Sequence, residues 1–359
     1  MKRRQQQALD TTYRILDGSG VFRAWRNTMS RGSIVTITYH GVLPPAYRPI
    51  DPVLDGNLID SQTLVEQLRF LKKRYQIIDP PAFRESIHGG RPFPTGAVLI
   101  TCDDGLVNCL TEMIPLLQEE GVAGVFFPTS QQGDRPLWHE ELFLLLMTAA
   151  GGIVRGPSGE SVRLPTDPNP RRKTWQTMMR SLGGRSYAER RSIMEQMAED
   201  ADLPQEWLGE TMGEAGRADR FFTLDHDGLR ALSTADMTIG SHTVTHPILA
   251  QLPREAAAEE LALSRTELGR AVKQDIWALA YPYGDRESVG VRERGLAAEA
   301  RYEVAFRNWG GLSVTSDDPF FLPRVSVTAN MSLPAFHARI SGMHDRVAAA
   351  GQTLMRRFR

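Results

Sequence analysis

The sequence predicts an α/β barrel, and three observations carry that expectation. Short apolar, β-branched runs alternate with helix-patterned segments along most of the chain. Several of these runs end abruptly in polar, chemistry-bearing residues, as strands do at the functional rim of a barrel. With 359 residues, 41% of them hydrophobic, the chain can bury a substantial core in one large domain carrying an insertion.

The elements follow in order. Residues 1–32 read as an N-terminal helical extension. The β-branched run from Ile34 to Val42 is a strand ending in Tyr39-His40-Gly41. Ser61 can cap a helix whose Leu64, Leu68 and Leu71 share one apolar face. A strand over Gln76–Asp79 and a Pro-rich loop at 91–94 lead into the apolar strand Ala97–Thr101. Leu110–Glu120 reads as a helix and Val122–Phe127 as the next strand. A mainly helical excursion then opens with a helix over Trp138–Ala150. It continues with a hairpin around Pro157-Ser158-Gly159, a linker over Pro165–Pro170 and a charged helical stretch over Pro170–Leu208. A helix at Leu224–Ser233 precedes the run that reaches Ser241. Later strands are expected at Ile276–Ala280 and within Phe320–Val327, followed by a helix from Leu333 to Arg359.

A net charge of −1 leaves no electrostatic footprint for nucleic acid. Cys102 and Cys109 are too few for a disulfide framework and are expected as free thiols. The basic start, Met1 to Gln7, precedes no apolar core, so no signal peptide is apparent and a cytoplasmic location is expected. The longest apolar stretch, Leu142–Val154, is too short and too glycine-rich to span a bilayer. The tail Met355-Arg356-Arg357-Phe358-Arg359 is basic with apolar residues, which suits weak contact with an anionic membrane surface; a solvated end helix is the other reading.

The chemistry concentrates at two distant strand ends. Asp103-Asp104-Gly105 places adjacent carboxylates before a turn, and His242-Thr243-Val244-Thr245-His246 carries two imidazoles four positions apart. Either segment alone is weak, since an Asp-Asp-Gly triplet is usually a solvated turn. Together, one carboxylate and two imidazoles make a three-ligand set for one divalent, zinc-like ion. Such a set leaves positions open for water and substrate, and the remaining carboxylate is free to act as a base.

A third segment, Ile276 to Gly284, ends an apolar strand in Pro282-Tyr283-Gly284. In this order the three segments resemble the motifs of the polysaccharide deacetylase family (the NodB-homology domain, carbohydrate esterase family 4). The resemblance covers residues 33–330, with an insertion at about 138–222 and a C-terminal helix at 331–359. It implies a distorted barrel of about seven strands. It also implies that Asp103 is the general base, that Asp104, His242 and His246 hold the metal, and that the Pro282-Tyr283-Gly284 turn offers the Tyr283 N–H to an oxyanion. The implied activity is metal-dependent removal of N-acetyl groups from amino sugars in a polysaccharide or glycan precursor.

The chain departs from the family pattern in three places. Cys102 replaces an aromatic residue, Ala280 stands where an arginine is usual, and no late Leu-x-His motif supplies the general acid. The Tyr39-His40-Gly41 strand end resembles a rearranged branch of the family, which includes exported poly-N-acetylglucosamine deacetylases. There the histidine of this strand is the acid, so His40 is the candidate; a structural rim histidine is the other reading. Arg324, one charge inside an apolar run, is a candidate to replace the missing arginine by pairing with Asp103. A solvent-facing arginine at a sheet edge is the alternative. His337 and His344 are expected on a surface helix. Trp138, His139, Trp175 and Trp207 either line a glycan cleft or belong to a core. Two other functions stand beside it: an amidohydrolase of an allantoin-like small molecule, and a non-catalytic carbohydrate-binding relative, which the intact Asp103, Asp104, His242 and His246 argue against.

Overall fold

A computed structural model describes residues 2–29, 31–131, 133, 135–344 and 347. Seven parallel strands form the barrel: β1 (Ser33–Tyr39), β2 (Ala97–Asp104), β3 (Val125–Pro128), β4 (Thr238–Ile239), β5 (Ala278–Ala280), β6 (Val304–Phe306) and β7 (Val325–Ser326). β1 pairs with β2, β2 with β3 and β3 with β4. β5 pairs with β6, and β7 closes back onto β1. Two seams hold by single bridges, Ser241 to Leu279 and Phe306 to Leu322. Those seams distort the barrel.

The period-2 alternation of β2 sorts its side chains. Val98, Ile100 and Cys102 join the large cluster beneath the outer helices. Ala97 and Leu99 join a separate interior cluster with Ile34, Phe127, Ala278, Val304 and Phe306. Thr101 and Asp103 continue the inward face, so the base candidate points into the barrel mouth.

The helix Ser61–Arg74 buries Leu64, Leu68 and Leu71 as expected, but its cap is Asp60, whose side chain accepts from the Thr63 N–H at 2.8 Å. Ser61 therefore begins the helix instead of capping it. The strand expected over Gln76–Asp79 shortens to Gln76–Ile77. The run Phe320–Val327 yields only Val325–Ser326, because Pro319–Phe321 turns as a 3₁₀ helix.

The excursion between β3 and β4 builds its own core. Helices Trp138–Thr148, Pro168–Leu182 and Tyr187–Asp200 pack around Trp138, Trp175 and Trp207, each under 10% exposed. Those tryptophans are core residues, and Trp138 also borders a small cavity between the excursion and the histidine segment. The C-terminal helix spans Leu333–Ile340, and His337 is fully buried there, not on a surface. It sits against Phe22, Phe70 and Tyr75, with Nδ1 2.7 Å from Asp17. The basic tail Met355–Arg359 lies outside the described residues. Among the described residues, no helix is long and apolar enough to cross a membrane.

Candidate active site

The C-terminal rim of the barrel gathers the motif residues. Asp103 ends the inward face of β2 and is 2% exposed. Arg324 reaches it through the barrel interior: Nη1 donates to Oδ1 at 2.7 Å and Nη2 to Oδ2 at 2.6 Å. The guanidinium lies near the rings of Phe127 and Phe306 and also donates to the Thr101 hydroxyl at 3.3 Å. Burial pushes the Asp103 carboxyl up, but the charges of Arg324 and the neighbouring histidines prevail and hold it below its ordinary value.

Strand alternation would turn Asp104 away from Asp103. Instead Asp104 adopts a left-handed backbone, φ 72°, which aims both carboxylates at the rim. Gly105 continues the turn at φ 68°, where an added Cβ would lie 2.4 Å from the Cβ of Pro128. Of eight described non-glycine residues with positive φ, four belong to these motifs: Asp104, Thr243, His246 and Tyr283. Strain of this kind collects where geometry is imposed for function.

The histidine segment is pinned on several sides. The Glu260 carboxylate accepts from the N–H groups of Val244 and Thr245, both at 2.9 Å. The Thr243 hydroxyl accepts from the His246 N–H at 3.1 Å, and the indole of Trp138 donates to the His246 carbonyl at 2.8 Å. His242 Nδ1 lies 2.7 Å from the Ala280 carbonyl, which can only accept. The proton therefore sits on Nδ1, and Nε2 keeps its lone pair toward Asp104.

These constraints suit a metal. One ligand atom from each of Asp104, His242 and His246 falls within 4.8 Å of the others. Both Nε2 atoms are 3.5 Å from Asp104 Oδ1. That is long for a hydrogen bond. It matches the edge of about 3.3–3.6 Å between ligands set about 2.0–2.2 Å from a tetrahedral zinc-like ion. The donor set and the spacing both fit, so these three side chains could hold one divalent ion.

Around this triad stand residues with chemistry to spare. His40 follows β1, half-buried, with a buried Nδ1 that has no partner among the described residues. It lies close enough that its positive charge would help lower both Asp103 and Asp104, each of which burial alone would raise. Gly41 lets the chain turn away from it at φ 127°, where a Cβ would lie 1.9 Å from Asn108 Oδ1. The Pro282-Tyr283-Gly284 turn is tied to β6 by Tyr281 N–H to Phe306 O (3.0 Å) and Asn308 N–H to Gly284 O (2.8 Å). The Tyr283 N–H finds no acceptor among the described residues. Its ring stands edge-on to His246 at 4.8 Å.

His139 is a site residue that the motifs did not mark. Its ring stacks on His246 at 4.9 Å, burial then the neighbouring His246 hold it neutral, and Trp175 fixes its carbonyl at 2.7 Å. It comes from the insertion, so no local pattern points to it. Beneath it, fully buried Arg220 joins Glu140 (2.8 Å) to Asp55 (3.0 Å). Burial, opposed by Arg220, pushes the Glu140 carboxyl up to about 7.

The sequence profile of the polysaccharide deacetylase family matches residues 192–304, which contain the histidine segment and the Pro282-Tyr283-Gly284 turn. Over that region the chain is similar to the polysaccharide deacetylase family. A curated relative, the poly-β-1,6-N-acetyl-D-glucosamine N-deacetylase of Escherichia coli K12, is 31% identical over 105 residues. That stretch is 28% of this chain and 15% of the relative, so only a small part of the relative's length is matched. Solved polysaccharide deacetylase-like structures share the fold. The Streptococcus pyogenes deacetylase PplD superposes with a TM-score of 0.53 at 15% identity, over 86% of this chain and 98% of that one. IcaB from Ammonifex degensii gives 0.52 at 16% identity, over 86% and 97%. At such identities the likeness establishes the distorted barrel alone. Asp103, Asp104, His40 and Arg324 lie outside the profile match, so their assignment rests on the geometry given above.

Proposed function

We propose that this protein is a metal-dependent deacetylase that hydrolyses N-acetyl groups of amino sugars in a glycan. The observation that carries this reading is the convergence of Asp104, His242 and His246 beside an Arg324-held Asp103. The name of the curated relative supplies the substrate class. In this reading residues 33–330 form the catalytic barrel, and the excursion at about 138–222 braces the histidine segment through Trp138 and His139.

Asp104, His242 and His246 hold the ion. When bound, a zinc-like ion there supplies Lewis acidity, polarising the acetyl carbonyl and bringing the pKa of the attacking water toward about 7. Arg324 engages one lone pair on each Asp103 oxygen and fixes the carboxylate plane, which leaves a second lone pair to accept the proton of that water. The water oxygen bonds to the carbonyl carbon, and the developing oxyanion receives the Tyr283 N–H. Such a donor contributes about 2.7–4 kcal/mol to the transition state. As the C–N bond breaks, His40 delivers its proton to the sugar nitrogen. Acetate and a free amine leave. His139 and Tyr283 wall the acetyl side and keep bulk water from the His246 ring.

Acetate release tests the reading. Wild-type protein is expected to liberate acetate from N-acetylglucosamine oligomers, and D103N to do so at least about 100-fold more slowly. Hydrolysis of allantoin-like cyclic amides in place of the oligomers would move the protein to small-molecule amide hydrolysis. Binding of oligomers with no acetate formed would make it a carbohydrate-binding relative.

A further inference from the structure

Next to the site, on the side of the catalytic carboxylate, lies a cavity of about 780 Å³. This is the size of a small-ligand site, about 300–1,000 Å³, and too large for an inorganic ion alone. Its floor is shared with the active site. Arg324 holds Asp103, and Ser326 donates to Asn308 Oδ1 at 2.5 Å, while the Asn308 N–H holds the Gly284 carbonyl. Any molecule in the cavity is therefore one residue layer from the reacting centre.

The walls are cationic and aromatic. Arg286 enters from the loop after the Pro282-Tyr283-Gly284 turn and Arg339 from the C-terminal helix, and neither forms an ion pair among the described residues. Asp285, the one acidic residue in the lining, spends its carboxylate on the N–H groups of Glu287 and Ser288 at 2.9 Å. Trp309 organises the charge. Arg286 lies 5.6 Å and Arg307 4.5 Å from its ring centroid, so two guanidinium groups share one aromatic platform. Burial, and then the charge of Arg286, depress the affinity of Arg307 for its proton. Cations gathered at a cavity wall whose one carboxylate already accepts two backbone N–H groups are stabilised when an anion enters, and planar guanidinium groups match carboxylate and phosphate oxygens.

We propose that this cavity binds an anionic sugar unit of the substrate, bearing a carboxylate or a phosphate, adjacent to the N-acetyl sugar held at the metal. The proposal rests on the deacetylase reading for the register of its ligand. Its own support is the cavity, the Trp309 platform and the unpaired Arg286 and Arg339. The protein thereby prefers acidic glycans over neutral ones.

Calorimetric titration tests this directly, because it needs no turnover. The probes are a neutral N-acetylglucosamine tetramer, an alternating glucuronate–N-acetylglucosamine tetrasaccharide, and a neutral tetramer phosphorylated at one sugar. At low salt, at least one anionic probe is expected to bind about 10-fold or more tightly than the neutral tetramer, and the advantage is expected to shrink at 0.5 M NaCl, about the regime of strong screening. The tighter of the two anionic probes identifies carboxylate or phosphate as the source. R286Q and R339Q are each expected to lower that preference about 10-fold. Equal affinity for all probes, or a preference unmoved in both variants, would overturn the proposal. Acetate assays on the same samples separate the two claims: arginine-dependent binding without acetate sinks the deacetylase reading alone, and acetate release without preference sinks the cavity alone.

Discussion

Arg324 meets Asp103 oxygen for oxygen, at 2.7 and 2.6 Å, with both side chains shut away from solvent. The arginine comes from just before β7 and the aspartate from the end of β2, 221 residues earlier. Truncating one partner of such a pair strands the other as an uncompensated buried charge, at a cost of about 3–5 kcal/mol. R324M is therefore expected to lower thermal stability and to reduce kcat by about 100-fold. Burial, no longer opposed by the guanidinium, would raise the Asp103 carboxyl, so the acidic limb of the rate profile should move to higher pH. D103N/R324M should recover part of the stability and none of the activity. An acidic limb that stays in place in R324M would show that Asp103 does not govern it.

His40 offers a test that separates chemistry from packing. H40A should slow amide cleavage about 10²- to 10⁴-fold, because the leaving amine needs a proton. Activated aryl acetates leave without one and should be nearly unaffected. Parallel kinetics on N-acetylglucosamine oligomers and an aryl acetate make the comparison, and equal losses on both would assign His40 a structural role.

Trp138 ties the insertion to the histidine segment through its bond to the His246 carbonyl. W138F keeps most of the packing and removes that donor. Supporting contacts around metal ligands are typically worth about 10- to 100-fold in metal affinity. Competition with a chromogenic chelator should show zinc binding weakened about 10-fold, and unchanged affinity would mean that the indole only fills space.

Glu140 should leave a signature in stability against pH. Its carboxyl is pushed up to about 7 in the folded protein from a reference of 4.5, so between these values the folded state keeps a proton that the unfolded chain has lost. The wild type therefore loses stability as pH rises toward 7, by about 1–3 kcal/mol, relative to E140Q. Melting both proteins at pH 5 and pH 8 should show E140Q gaining on the wild type at the higher pH. A constant gap would mean that Arg220 keeps Glu140 ionised throughout.

Much of the site was legible because its residues end strands. The apolar run Ala97–Thr101 ending in Asp103-Asp104 and the His-x-x-x-His spacing announced the site, whereas the sorting of Val98, Ile100 and Cys102 from Ala97 and Leu99 emerges only in the packing, since every residue of that run is apolar or β-branched. The left-handed turns at Asp104, Thr243, His246 and Tyr283 carried no such signal, since only tertiary contacts impose positive φ on these residue types. His139 and Trp138 reach the site from more than 100 residues away along the chain, where local periodicity carries no information. His337 read as a surface residue because an Ala/Arg-rich window hides what Phe22, Phe70 and Tyr75 cover. Asp60 displaced Ser61 as helix cap by one residue, the usual uncertainty of a helix boundary. The two single-bridge seams of the barrel were likewise hidden, because strands of two or three residues are too short to show a period.

The most direct test of the metal-centred account is to strip the protein with chelator, add zinc back in steps, and follow bound metal and acetate release together in wild type, D103N and D104N. Acetate release should vanish in the stripped wild type and return in proportion to one bound equivalent. D103N should bind that equivalent and remain inactive, and D104N should fail to hold it. Undiminished acetate release from the stripped protein, or equal metal loss in both variants, would contradict the account.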